Sequence, residues 1–257
     1  MSWAQRRKTT YIVSILFIFV IILAIILFTT FNKAPSCSDG VQNQGEFGID
    51  CGGPCVNLCR AQFSDPVVIW GPRWSKVLSS GMYNFLTYIQ NPNIGVGAYN
   101  AQYNFKVYDK NNILLYQKTG TTYLPPNNNF VIFEDNISLN DKVPARTEFK
   151  FIGNPVWQKI ENQESNITAV SKNLTNEDTK PKLFVTMRNS TLNPISNIEE
   201  VAILYDINGN AIAFSKTKID SIDADGTADI VFTWPEPFPG KIVRVDIVSK
   251  VLPGSEF

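Results

Sequence analysis

Four cysteines are clustered in one short segment, CSDGVQNQGEFGIDCGGPCVNLC, which runs from residue 37 to residue 59. Cys37, Cys51, Cys55 and Cys59 are separated by 13, 3 and 3 intervening residues. The segment has few apolar residues with which to build a core, so it needs covalent links to hold its shape. The number of cysteines is even, and in an exported chain this predicts two disulfides. The sequence does not choose among the three pairings. Zinc is the alternative, but no Cys-x2-Cys pair is present.

Oxygen-bearing side chains are interleaved with these cysteines, at Asp39, Asn43, Glu46 and Asp50. Calcium is a hard cation that takes six to eight oxygen ligands, so these four residues are its candidate ligands. The alternative is turn formation, because Asp-Gly, Asn and Gly-Gly-Pro are the residues that tight loops use. Turn formation is favoured, and no other cofactor is predicted.

Histidine is absent from all 257 residues. This excludes catalytic systems that pair a histidine with serine or cysteine, and it removes the commonest metal ligand. The acidic residues form no pair in a recognisable catalytic setting. The basic residues are scattered singly rather than clustered on one face, which argues against nucleic-acid binding. No enzyme activity and no catalytic residue are therefore predicted.

An uncharged apolar stretch runs from Tyr11 to Phe31. At 1.5 Å per residue a helix of this length spans the hydrocarbon core of a bilayer, about 30 Å thick, so the stretch predicts one transmembrane helix in contact with lipid. Arg6, Arg7 and Lys8 precede it and only Lys33 follows closely. The positive-inside rule then places residues 1–10 in the cytoplasm and residues 34 onward outside.

A cleaved signal peptide is the alternative to a permanent anchor. Ala34 and Ser36 offer small residues for a cleavage site before Cys37. The apolar region of a signal peptide is normally 7 to 15 residues long, and this stretch is longer. We therefore expect an uncleaved anchor in the cell membrane.

The rest of the chain contains an internal repeat. Matching segments recur in the same order at offsets of 98, 97 and 99, which favours two copies of one domain. These segments are residues 91, 105–109 and 130–133 in the first copy, and residues 189, 202–206 and 229–232 in the second. Turn-forming residues follow both Tyr-Asp pairs, so each copy is expected to contain a hairpin at that point.

Strand patterns dominate both copies. Apolar residues alternate with polar ones at 103–107 and 243–247, which is typical of strands with one buried face, and such short strands predict β-sandwiches. Residues 201–204 are apolar on both faces, which requires a second surface to cover them. Residues 161–180 are polar and are predicted to form a loop. We expect a cysteine-rich segment at 34–60 and sandwiches at 61–154 and 155–257.

Two resemblances accompany these patterns. The cysteine segment resembles a short motif of extracellular proteins, C-DG-x-QN-x-x-E-x-G-x-DCGG-x-C. Both copies resemble the FxLYD type of immunoglobulin-like domain found in exported and membrane-anchored bacterial proteins. The residues that carry the second resemblance are Phe105, Val107, Tyr108 and Asp109 in the first copy, and Leu204, Tyr205 and Asp206 in the second. It implies two tandem immunoglobulin-like sandwiches at the cell surface or in the envelope, without catalytic residues.

The functional expectation is a structural, adhesive or interaction protein of the cell envelope, with an unidentified protein or envelope partner. An accessory subunit of a membrane-bound export, pilus or sensory assembly is the alternative. Four Asn-x-Ser/Thr triplets, which begin at Asn136, Asn166, Asn173 and Asn189, are interpreted as exposed polar positions.

Overall fold

The computed structural model describes residues 3–31, 36–160 and 166–253. Two compact units are present, Met1–Cys59 and Arg60–Phe257. Lys33 and Ala34, which entered the topology and cleavage predictions, lie outside the described residues. The same holds for residues 161–165 of the predicted loop.

The first unit begins with helix α1, Trp3–Phe31. It has no Gly or Pro to interrupt it, and from Tyr11 onward it is apolar on all sides rather than along one stripe, which is typical of a helix surrounded by apolar material. Residues Arg7–Phe28 are long and apolar enough to cross a membrane, with a mean hydropathy of 3.3. The predicted N-terminal apolar helix is therefore confirmed.

The second unit is built from antiparallel strands after a single 3-10 turn at Arg60–Gln62. Within the described residues the strands are β1 Val67–Leu78, β2 Met82–Asn91, β3 Val96–Tyr108, β4 Leu114–Leu124, β5 Asn128–Ser138, β6 Arg146–Phe151, β7 Val156–Lys159, β8 Ile167–Thr175, β9 Lys182–Asn189, β10 Ile195–Tyr205, β11 Ala211–Ile222, β12 Thr227–Thr233 and β13 Arg244–Val251. The all-β prediction is confirmed.

The strands form four sheets with a repeated order. In the first half the orders are β1-β2-β5 and β4-β3-β6, and in the second half they are β8-β9-β12 and β11-β10-β13. Strands β1–β6 correspond one to one to β8–β13, while β7 has no counterpart among the described strands of the second half. Both predicted hairpins are present, as β3-β4 and β10-β11. The repeat found in the sequence therefore has a counterpart in the connectivity of the sheets.

Strand β8 contradicts the predicted loop at residues 161–180. It pairs with β9 along its length, from Ile167 opposite Asn189 to Thr175 opposite Lys182. The segment is polar because β8 is an edge strand whose outward face is exposed, so strand residues such as Lys172 and Asn173 resemble loop residues in composition. Strand β7 lies beyond residue 154, the predicted boundary between the two copies, but it pairs with β3 of the first half.

Each half has its own core between its two sheets. In the first half, Phe85 of β2 packs against Phe105 of β3, with ring centroids 5.1 Å apart. In the second half, Leu183 and Met187 of β9 join Leu204 of β10 in one buried cluster. Aromatic and aliphatic side chains that alternate along each strand supply these cores, as the pleat of a strand requires.

A further apolar cluster joins the two halves. Leu86 and Val131, from the β1-β2-β5 sheet, pack against Val201, Ile203 and Phe214, from the β11-β10-β13 sheet. The doubly apolar stretch at residues 201–204 is thereby explained. Its even-numbered residues face the core of the second half, and its odd-numbered residues face the first half.

Candidate functional site

The four cysteines form two disulfides, as predicted. Cys37 pairs with Cys55 and Cys51 pairs with Cys59, with Cα–Cα distances of 5.7 and 5.1 Å. This pairing is one of the three that the sequence left open. Because both sulfurs of each pair are bonded to each other, the cysteines offer no thiolate ligands to zinc.

The oxygen-bearing side chains of this segment accept hydrogen bonds from nearby backbone amides. The Asp39 carboxylate accepts from the N–H of Val41 at 2.9 Å, and both oxygens of Asp50 accept from the N–H of Gly40 at 3.0 and 3.1 Å. Asn43 donates from Nδ2 to Asp39 at 2.9 Å. These bonds close turns, which is the alternative that the sequence favoured over calcium.

Glu46 is the buried acid of the segment. Its Oε2 accepts from the backbone N–H groups of Asn43 and Asp50, at 3.3 and 3.2 Å. Its Oε1 lies 3.1 Å from Sγ of Cys55, a contact without a hydrogen bond because a disulfide sulfur carries no proton. Most of the candidate oxygens are thus already engaged. Calcium takes six to eight oxygen ligands, and the oxygens that accept these hydrogen bonds are not free to bind it. Calcium binding therefore stays a prediction, and these hydrogen bonds do not favour it.

The Tyr-Asp motif forms the same corner in both halves. Oδ1 of Asp109 accepts from the backbone N–H groups two and four residues further on, both at 2.8 Å. Oδ1 of Asp206 does the same at 2.9 and 2.8 Å. The side chains of Phe105, Val107 and Leu204 are buried in the cores, so the motif anchors the strand and shapes the turn that follows it.

An arginine covers each tyrosine of the motif. The guanidinium of Arg146 lies 4.0 Å from the ring centroid of Tyr108, and that of Arg244 lies 3.8 Å from the ring of Tyr205. Each arginine also pairs with the carboxylate two residues further on. A guanidinium over an aromatic face is attracted by the electron density of the ring. The motif therefore acts as a structural corner.

Two buried asparagines hold equivalent loops. Asn91 and Asn189 are both fully buried at the ends of β2 and β9. Nδ2 of Asn91 donates to the carbonyl of Pro125 at 2.8 Å, and Nδ2 of Asn189 donates to the carbonyl of Asp223 at 3.0 Å. Each Oδ1 accepts from the backbone N–H two residues further on, at 3.1 and 2.9 Å. Buried polar groups that are bonded in this way rigidify a loop.

The interpretation of Asn189 as an exposed residue was therefore wrong. Asn136, Asn166 and Asn173 are exposed, as predicted, whereas Asn189 points inward because its amide replaces missing backbone partners at a strand end. The Asn-x-Ser/Thr pattern alone does not separate these cases. The offset of 98 from Asn91 was the available signal that Asn189 has a structural role.

A polar network in the first half joins the buried residues Tyr103 and Glu134 to the half-exposed Lys118. The hydroxyl of Tyr103 donates to Oε1 of Glu134 at 2.6 Å, and Lys118 donates to Oε2 of Glu134 at 2.6 Å. Burial and the neighbouring carboxylate raise the pKa of Tyr103 well above its ordinary value. Glu134 is thereby paired on both oxygens, which is the condition under which a buried carboxylate is tolerated.

Sequence reasoning missed two buried ionisable residues of the second half. Glu200 on β10 lies in the core of that half, and Lys250 on β13 extends toward the first half, where its Nζ donates to Oγ1 of Thr122 at 2.7 Å. Burial raises the pKa of Glu200 to about 7 and lowers the pKa of Lys250 to about 8. Both residues stand in ordinary alternating strands, so nothing in the sequence distinguishes them from exposed charges.

No protein-family model and no curated protein sequence matches the chain. Among solved structures, a red sea bream transglutaminase is 12% identical with a TM-score of 0.22, over 72% of this chain and 30% of that one. A glycoside hydrolase family 2 β-glucuronidase is 10% identical with a TM-score of 0.22, over 85% of this chain and 29% of that one. The chain thus spans less than a third of these two proteins, and at such TM-scores the likeness carries no argument about function.

Proposed function

We propose that the chain is a non-catalytic, membrane-anchored protein of the cell envelope, whose two sandwiches serve outside the cytoplasm as one rigid structural or adhesive module. The observation that carries this proposal is the apolar contact between the halves. Leu86 and Val131 on one side and Val201, Ile203 and Phe214 on the other are all buried. Domains joined only by a flexible linker are expected to move, and a contact of this kind opposes such motion.

Polar contacts across this interface support the same conclusion. Ser79, in the turn after β1, donates from its backbone N–H and its hydroxyl to Glu236 at 2.9 and 2.7 Å. Nδ2 of Asn84 donates to the carbonyl of Phe214 at 3.4 Å. These bonds fix the rotation of one half against the other, which a purely apolar contact leaves less well defined.

The anchor and its orientation rest on the N-terminal unit. A helix that is apolar on all sides suits a bilayer, and the basic residues Arg7 and Lys8 at its N-terminal end favour a cytoplasmic N-terminus. The two disulfides fit an oxidising compartment on the other side of the membrane. Resemblance to FxLYD-type domains is a further support, and the partner of the module is an unidentified envelope component.

Rigidity is tested by distance measurement between spin labels on the full-length protein in lipid nanodiscs. Labels at Asn111→Cys and Asn208→Cys stand on the two exposed hairpins, one in each half. We expect one narrow distance distribution. The double variant Val201→Asn/Ile203→Lys carries the residues found at the equivalent positions of the first copy, and it should broaden the distribution.

The matched control is Val231→Lys, which places a charge at a half-exposed apolar position of β12, away from the interface. It should leave the distribution narrow. A broad distribution in the unaltered protein would contradict the rigid module. The anchored topology has its own tests. It would be contradicted if residues 60–253 were protected from protease added to intact cells, or if the mature N-terminus were found at Cys37.

A further inference from the structure

A cavity of about 190 Å³ lies between the two halves, beside the apolar interface. Strands β3, β4 and β5 of the first half, with Tyr103 on β3, and strands β10, β11 and β13 of the second half contribute its walls. Its polar lining includes Lys216, Lys250, Glu199 and Thr122, and its apolar lining includes Val131 and Val248. The cavity is therefore mixed, with both charged and aliphatic groups in its lining.

Lys250 is the unusual member of this lining. Its side chain is 5% exposed, and its ammonium group donates to the Thr122 hydroxyl rather than to a carboxylate. The Nζ atom also lies 5.0 Å from the ring centroid of Phe130. A buried ammonium has three N–H donors, and its charge is costly to bury without a negative partner. Burial accordingly lowers the pKa of Lys250 to about 8.

The charges around the cavity do not balance. Lys216 and Lys250 contribute two positive charges and Glu199 contributes one negative charge, which leaves 2 − 1 = +1. Glu199 is shared, because its Oε1 lies 4.0 Å from Nζ of Lys216 and 3.9 Å from Nζ of Lys218. A single monovalent anion would complete the balance, and low local polarity would strengthen its attraction to both lysines.

We propose that this cavity binds a small monocarboxylate, whose oxygens accept hydrogen bonds from the ammonium groups of Lys250 and Lys216. The aliphatic side chains of Val131 and Val248 then face the alkyl end of the ligand. The volume exceeds many times the 10–15 Å³ that one water requires, so an acid of a few carbon atoms fits. A phosphate dianion fits less well, because it would reverse the net charge and place oxygens against the aliphatic wall.

The test is thermal unfolding of the full-length protein in detergent at pH 7, in sodium acetate or sodium propionate and in sodium chloride of equal ionic strength. We expect a saturable rise in midpoint with either carboxylate, of about 3–6 °C at a tenfold excess over the dissociation constant. Sodium phosphate at equal ionic strength should give no such rise. Coincident curves in acetate and chloride, or a larger rise in phosphate, would overturn the proposal.

The variant Lys250→Met removes the buried ammonium while it keeps much of the side-chain volume, and it should abolish the acetate-dependent rise. Lys150→Met, at an exposed lysine of β6, is the matched control and should keep the rise. If the rise persists in Lys250→Met, the site is elsewhere and the inference fails. If Lys250→Met does not fold, the deciding measurement is the width of the ¹³C-acetate NMR signal in the presence of the unaltered protein. We expect the signal to broaden, and an unbroadened signal at millimolar acetate overturns the proposal.

Discussion

Glu200 should make the stability of the second half depend on pH near neutrality. The residue is fully buried, its Oε2 accepts from the Ser249 hydroxyl at 2.8 Å, and its Oε1 has no hydrogen-bond partner among the described residues. Burial raises its pKa to about 7 from an ordinary value of 4.5, against a smaller opposing effect of the bond from Ser249. The folded protein therefore holds this carboxyl protonated in weakly acidic solution.

The sign of the effect follows from proton binding. Between pH 4.5 and pH 7 the folded state keeps the proton of Glu200 and the unfolded state loses it, so the free energy of unfolding falls as pH rises. The difference between a pKa of about 7 and the ordinary 4.5 corresponds to about 3 kcal/mol. The loss is complete above about pH 8, where both states are ionised.

Glu200→Gln replaces the acid with a neutral group of the same shape and should remove this dependence. The measurement is urea unfolding of the full-length protein in detergent from pH 5 to pH 8, for the unaltered chain and the variant. The free-energy difference between them should change by about 2–3 kcal/mol across that range, in favour of the variant at high pH. Glu177→Gln, at an exposed acid in the turn after β8, is the control and should give a constant difference.

A constant difference between the unaltered chain and Glu200→Gln would refute the reasoning. It would mean that Glu200 has the same proton affinity folded and unfolded, and hence that water or an unseen donor reaches its free oxygen. A change of the opposite sign would mean that the ionised carboxylate is stabilised in the folded state.

Three further predictions concern the packing of the cores, the loop anchors and the disulfides. Gly120→Ala should lower the free energy of unfolding by about 1–3 kcal/mol, because the new Cβ would clash with the hydroxyl oxygen of Tyr103; urea unfolding checks this, and Gly71→Ala, in open space, should change little. Asn189→Ala and Asn91→Ala should each lower the free energy of unfolding by about 1–3 kcal/mol, because each leaves buried carbonyls unpaired. Hydrogen exchange should show an equal loss of amide protection in the half that carries each substitution, and unequal losses would argue against equivalent roles. Non-reducing mass spectrometry should show four hydrogens fewer than the reduced chain, and tryptic peptides should confirm the pairing, whereas four free thiols would contradict it.

Features that depend on local pattern were predictable from the sequence. The apolar helix follows from an uncharged run long enough to span a bilayer, and the hairpins follow from turn residues after Tyr108 and Tyr205. The stretch at residues 201–204 required two buried faces, and the structure supplies both. These predictions succeeded because each rests on a local property of the sequence: an uninterrupted apolar run, turn-forming residues, or the side-chain periodicity that the backbone geometry of a strand enforces.

Features that depend on distant partners were not predictable. An edge strand such as β8 needs only one apolar face, and its exposed Lys172 and Asn173 gave it a loop-like composition. The pairing of Cys37 with Cys55 depends on the path of the intervening turns. Lys250 became buried only because the other half covers it, and no local pattern records that contact.

The contact between the two halves is made by unlike faces, since the β1-β2-β5 sheet of the first copy meets the β11-β10-β13 sheet of the second. A head-to-tail contact of this kind, if it were repeated between molecules, would produce a closed ring or an open-ended fibre, depending on whether the rotation closes. The first copy carries Asn104 and Lys106 where the second carries Val201 and Ile203. The corresponding outer face of the first copy is therefore more polar, and we expect it to be a poor surface for docking a second molecule.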